Sequence, residues 1–177
     1  TAASANPNTD FGIADYGSIA IAAASDTPDK SLLVMGTDDN EVSKFKLSGT
    51  YEAWHIEKFA VGLYDGDEDT DEAESNDVDN FTGVNLKYQT EAQWGSEDWT
   101  ISSNKTFGAT ASLTFSFSGA DRPYVPKDDD SYITVLVDIE GYNGGYGGKS
   151  KVPVMINHST SETTGFKAYG AQSGKQL

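Results

Sequence analysis

This sequence predicts an all-β fold: a two-sheet antiparallel β-sandwich with extended terminal segments. Three observations carry that expectation. Apolar residues recur at every second position along much of the chain, turn-forming Gly, Pro, Asn and Asp separate these runs, and no segment carries a helical apolar stripe. An antiparallel sheet must bury its apolar face against another layer, and the many short strands make that layer a second sheet. A jelly roll and an immunoglobulin-like Greek key both satisfy the pattern.

The elements follow in order. Residues 18–24 and 32–35 open the series, and Lys44, Phe45, Lys46 and Leu47 then alternate charge with bulk. Trp54 and Ile56 mark one face of the next run, yet Phe59, Val61 and Leu63 follow with the opposite parity. One extra residue at Glu57 or Lys58, a β-bulge, accounts for the change. Residues 71–78 come nearest to a helix, but they are almost wholly polar and have no face to bury. Val84, Leu86 and Tyr88 form the next face, and residues 98–102 a further strand. Leu113, Phe115 and Phe117 alternate with Thr114, Ser116 and Ser118, and Ile133, Val135, Val137 and Ile139 repeat the pattern. Residues 152–157 and 164–169 complete a set of about ten strands. Leu113, Phe115, Phe117, Val135 and Val137 are the expected core between the sheets.

A chain of 177 residues suits one domain. Residues 1–16 read as an N-terminal extension and a candidate donor strand, and residues 17–177 as a single sandwich domain. The glycine-rich loop 141–148, GYNGGYGG, precedes the last strands, so residues 149–177 read as an add-on to the main sandwich. Only 37% of residues are apolar, but 8 Phe, 9 Tyr and 3 Trp each bring a large area to a core.

Charge narrows the function classes. With 28 Asp and Glu against 12 Lys and Arg, the formal charge is −16, which repels nucleic acid and anionic membrane surfaces and favours divalent cations or an environment salty enough to screen self-repulsion. Cysteine is absent, which excludes disulfides, thiol nucleophiles and Cys-ligated zinc. The opening run Thr1, Ala2, Ala3, Ser4, Ala5 is what removal of a leader peptide would leave, and it predicts export to the cell surface or beyond. No stretch approaches the roughly 20 apolar residues of a membrane-spanning helix.

The run Gly36, Thr37, Asp38, Asp39, Asn40, Glu41, Val42, Ser43, Lys44, Phe45, Lys46, Leu47 is preceded by GSIAIAAASDTP and followed by IEKFAVGLYD. Over residues 17–140 this arrangement resembles β-sandwich modules of exported surface-layer-like and filament proteins of bacteria and archaea. The resemblance implies a protein that coats cells or polymerises into a pilus-like fibre with copies of itself, some such proteins lending a terminal strand to the next subunit. Fold likeness alone does not establish that activity. In this chain Phe11, Ile13 and Tyr16, with Ile19 and Ile21 after them, are the candidate subunit-interface residues of an N-terminal donor strand.

Other candidates compete with this reading. Asp65, Asp67, Asp69 and Asp71 alternate through an acidic segment, and their oxygens suit one calcium ion; a solvated acidic loop fits equally well. It is no EF-hand, because Thr70 stands at the turn glycine and Asn76 at the bidentate Glu. Asp128, Asp129 and Asp130 form a weaker acidic group. GGYGGKS at 144–150 lacks the first P-loop glycine, Asn143 standing there, and leads into a strand where a helix is required. His55 and His158 have no ligand companion in spacing, and alternation turns His55 to the face opposite Trp54 and Ile56. No Gly-x-Ser-x-Gly elbow occurs and no carboxylate pair stands out, so the chain reads as a non-enzyme. Asn80, Asn104 and Asn157 begin glycosylation triplets. Trp54, with Trp99, reads as core, which leaves Trp94, Tyr142 and Tyr146 for an exposed contact such as a glycan in a carbohydrate-binding module or adhesin.

Overall fold

A computed structural model of the chain describes residues 16–28, 33–64, 81–107, 112–141, 155–158 and 165–177. Ten strands form within them: β1 (Ser18–Ala23), β2 (Asn40–Thr50), β3 (Trp54–Tyr64), β4 (Phe81–Tyr88), β5 (Thr100–Ile101), β6 (Ser112–Ser116), β7 (Tyr124–Val125), β8 (Asp130–Ile139), β9 (Met155–His158) and β10 (Phe166–Gly170). Two antiparallel sheets pack face to face. The first has the order β1-β2-β8-β4-β5. In the second, β10, β3 and β6 lie side by side, and β3 also pairs with β7 and β9. β3 is the spine of that sheet: β6 and β7 share one of its edges, β9 and β10 the other.

The alternation read from sequence decides which side chains meet between the sheets. Phe45, Leu47, Ile133, Val135, Val137, Val84, Leu86 and Tyr88 line the inner face of the first sheet, and Trp54, Ile56, Phe59, Val61, Phe115, Val125 and Ala168 that of the second. Phe45 meets Phe59 across the interface with ring centroids 5.7 Å apart, and Phe117 stands edge-on to Tyr88 at 5.1 Å. Of the expected core, Phe115, Val135 and Val137 are fully buried, while Leu113 and Phe117 are half-buried against the same cluster. Tyr88 ends its strand with its hydroxyl donating to the Asp121 carbonyl oxygen at 2.9 Å. Burial pushes that hydroxyl up to about 12, and the nearby Asp121 carboxylate adds to the rise.

The bulge falls where the parity change put it. Ile56 and Lys58 pair with the adjacent residues Ala168 and Lys167, which leaves Glu57 as the extra residue. Its carboxylate takes Arg122 at 2.8 Å and Lys167 at 3.1 Å. Two further irregularities lie at Val42 between β2 and β8 and at Thr82 between β4 and β8, and each accompanies a parity change, Val42 against Phe45 and Leu47 and Phe81 against Val84 and Leu86.

Three expectations are corrected. No strand forms over residues 33–35 of the expected 32–35 strand (Leu32 lies outside the described residues): Leu33 alone packs on the core, and Val34 and Met35 are exposed. Side-chain bonds there compete with strand pairing, since Thr37 Oγ1 donates to the Val34 carbonyl at 2.6 Å and Asn40 Nδ2 to that of Thr37 at 3.0 Å. The C-terminal region is no add-on. β9 and β10 pair with β3, Ala168 is fully buried, and Ala168 and Leu177 exchange backbone hydrogen bonds. Trp99 is exposed on the surface, not in the core, where it precedes a two-residue edge strand and has the Lys87 ammonium 5.6 Å from its ring centre.

The outer face of the first sheet is a lattice of ion pairs. Glu41 stands opposite Leu136 and Lys87 opposite Thr134, and the Glu41–Lys87 pair at 3.4 Å crosses above β8 between them. The long stems explain why Leu136 and Thr134 are buried although they point away from the core. Lys44 pairs with Asp26 and lies over the Tyr132 ring, and Lys46 pairs with Asp130 at 2.7 Å.

Candidate functional site

The candidate site is the end of the sandwich where both described chain ends meet. β1 supplies the first element. Ile19 lies opposite Gly49 and Ile21 opposite Leu47, and both pack against the core, while Ala20 and Ala22 face out beside Ser48 and Lys46. Among the described residues β1 has no strand partner on its other edge. Of the predicted interface set, Ile19 and Ile21 therefore sit on this chain's own sheet. Tyr16 is exposed beside the tail, with Lys175 Nζ 3.8 Å from its ring centre, and Phe11 and Ile13 lie outside the described residues.

The second element is the tight connection between β2 and β3. Tyr51 adopts a left-handed conformation there, its N–H donating to Asp128 Oδ1 at 2.8 Å. This reversal turns Glu52 inward, where it is only 5% exposed. The Glu52 carboxylate accepts four hydrogen bonds. Oε1 takes the Gly17 N–H at 2.9 Å and the Ser173 hydroxyl at 2.8 Å; Oε2 takes the N–H of Ser173 at 3.0 Å and of Gln172 at 3.3 Å. Burial pushes the carboxyl up, but the donors from Gly17, Ser173 and Gln172 together outweigh it and hold the group below the ordinary glutamate range. Two glycines make room. A Cβ on Gly17 would lie 2.2 Å from the Thr50 carbonyl oxygen, and one on Gly170 would lie 2.4 Å from Glu52 Oε2.

The tail is fastened around the same turn. Ala171 N–H donates to the Ala53 carbonyl at 2.8 Å, and Gly170 N–H to that of Lys175 at 2.9 Å. Sequence reasoning missed Glu52, which was one acid among 28. The available signal was its setting: a single carboxylate inside the otherwise apolar and aromatic run Tyr51, Glu52, Ala53, Trp54.

A second, shallower feature lies on the outer face of the other sheet. His55 stands beside Tyr124 with ring centres 5.5 Å apart, Trp94 meets Tyr124 edge-on at 6.2 Å, and His55 Nε2 is 3.6 Å from Glu91 Oε2. His55 is thus on the outer face, as alternation required, but half-buried. Burial pushes the Tyr124 hydroxyl up, with the Glu91 charge adding to it. His55, Glu91, Ala92, Gly119 and Ala120 line a cleft of about 290 Å³. Tyr142 and Tyr146 lie outside the described residues.

The remaining candidates do not converge on one place. Asp65, Asp67, Asp69 and Asp71 lie outside the described residues, as does Asn80. Among the described residues no three His, Asp or Glu side chains are grouped to hold a metal ion, and no helix is long and apolar enough to cross a membrane. Asp128, Asp129 and Asp130 shape a turn, Asp129 Oδ1 accepting the Asp130 N–H at 2.8 Å. Asn104 is exposed, but its Nδ2 donates to Asp138 Oδ2 at 2.9 Å. Asn157 and His158 lie on β9, opposite Gly62 and Val61. No protein-family model matches the sequence, and no curated protein is similar to it.

Proposed function

We propose that this chain is a structural subunit that assembles with copies of itself by exchanging β1, in an extracellular fibre or surface layer. The observation that carries the reading is the seat of β1: an edge strand whose two inward residues, Ile19 and Ile21, complete the core of the first sheet. An identical strand from a second copy would remake every one of those contacts, so exchange costs chain entropy and little else. A head-to-tail exchange leaves one open seat and one free strand at each step, and it grows into a fibre unless its rotation closes a ring.

The chain has no cysteine, which makes a direct test clean. Ala20 lies opposite Ser48. Chains carrying Ala20→Cys are mixed with chains carrying Ser48→Cys under assembling conditions and oxidised. A disulfide between the two kinds of chain is expected. If only the double variant links, and only within one molecule, β1 stays at home and the reading fails.

A second reading rests on the cleft beside His55. Trp94, Tyr124, His55 and Glu91 combine aromatic surface with hydrogen-bonding groups, the chemistry a glycan contact uses. A saccharide that shifts Trp fluorescence in the native chain but not in Trp94→Ala would favour it.

A further inference from the structure

Gly17, immediately before β1, is tied down through its N–H to the Glu52 carboxylate. The same oxygen, Oε1, also accepts the Ser173 hydroxyl. Three of the four donors on this carboxylate come from the tail and one from the N-terminal segment. A buried charge holds its donors cooperatively. Losing those of one end leaves it poorly solvated, admits water and weakens its hold on the other end. The tail also contacts the residue before Gly17, since Lys175 lies over Tyr16.

We infer that Glu52 is a two-ended latch which gates self-assembly: the C-terminal tail must let go of Glu52 before β1 leaves β2 for a second copy of this chain. The inference rests on the strand-exchange reading and adds its regulation. It makes residues 170–177, remote in sequence, the control element of the N-terminal strand.

The experiment is amide hydrogen exchange on the full chain, paired with the rate of mixed Ala20→Cys/Ser48→Cys cross-linking. Glu52→Gln keeps the size of the side chain and removes its charge. It should speed exchange roughly tenfold at Gly17, Gln172 and Ser173 together and raise the cross-linking rate. Ser173→Ala, a milder change that leaves the fold intact if Glu52→Gln does not, should speed exchange at Gly17, a site it does not touch. Unchanged exchange at Gly17 in Ser173→Ala overturns the latch. Cross-linking as fast in both variants as in the native chain overturns the gate while leaving strand exchange standing. If native and variant chains alike never cross-link, strand exchange itself is wrong and the gate falls with it.

Discussion

Carboxylates at two places in this molecule are satisfied by different means. On the outer face of the first sheet, Asp26, Glu41 and Asp130 each face a lysine, in contact with water. At the end of the sandwich, Glu52 is buried and is neutralised by no cation among the described residues; it is satisfied by N–H and O–H donors. Water competes for every exposed pair and salt screens it, so each contributes little. No solvent substitutes readily for the donors around Glu52, so removing that carboxylate orphans three backbone amides at once. Position, not charge count, decides which acid matters.

The largest effect should come from breaking the buried side of this contrast. Glu52→Ala is expected to cost about 2 to 4 kcal/mol in urea unfolding, because several charge-assisted hydrogen bonds are lost together. The acid response sharpens it. The folded-state pKa of Glu52 lies below its ordinary value of 4.5, so its contribution is fully present above that value and is lost as pH falls further, through the folded pKa. The Gly17 and Ser173 amides should therefore stay protected at pH 5 and open only in more acidic solution. An opening centred above the ordinary glutamate value would contradict this assignment.

Tyr88 is the intermediate case, a buried neutral group with one partner. Its hydroxyl pKa is raised to about 12 in the folded state, so its contribution is present below the ordinary value of 10.0 and is lost as pH rises from there through about 12. Tyr88→Phe should cost about 1 kcal/mol at neutral pH, the net worth of one buried hydrogen bond, and should reduce the alkaline loss of stability. An unaltered alkaline transition would place its cause elsewhere.

Much of the fold was legible in the sequence because a half-buried strand writes its environment at every second residue. Phe45 and Leu47, Ile133 to Val137, and even the extra residue at Glu57 could be read that way. The bulges at Val42 and Thr82 are written more faintly, because only one apolar residue precedes each break in parity, Val42 before Phe45 and Phe81 before Val84. Residues 33–35 misled because an apolar run says nothing about whether a layer lies above it, and only Leu33 found one. The node at Glu52 was only half legible: the carboxylate stands out against its apolar neighbours, but its partners do not. Its donors are backbone amides at positions 17, 172 and 173, and backbone amides carry no sequence signature.

The smallest expected effect tests the exposed side of the contrast. Lys87 does two things: its ammonium pairs with Glu41 and lies 5.6 Å from the Trp99 ring centre, and its stem crosses the outward-facing Leu136 and Thr134. If the pair is as weak as solvent exposure implies, Lys87→Met, which keeps the stem and discards the charge, should change unfolding free energy by less than about 0.5 kcal/mol. Lys87→Ala removes the stem as well and uncovers Leu136, so it should cost more, about 1 kcal/mol. The native chain and Lys87→Met should also lose little of their difference when salt is added, because there is little to screen. Equal losses from the two variants would show that the charge, not the stem, matters on this face. The contrast with Glu52 would then rest on the number of bonds broken rather than on burial.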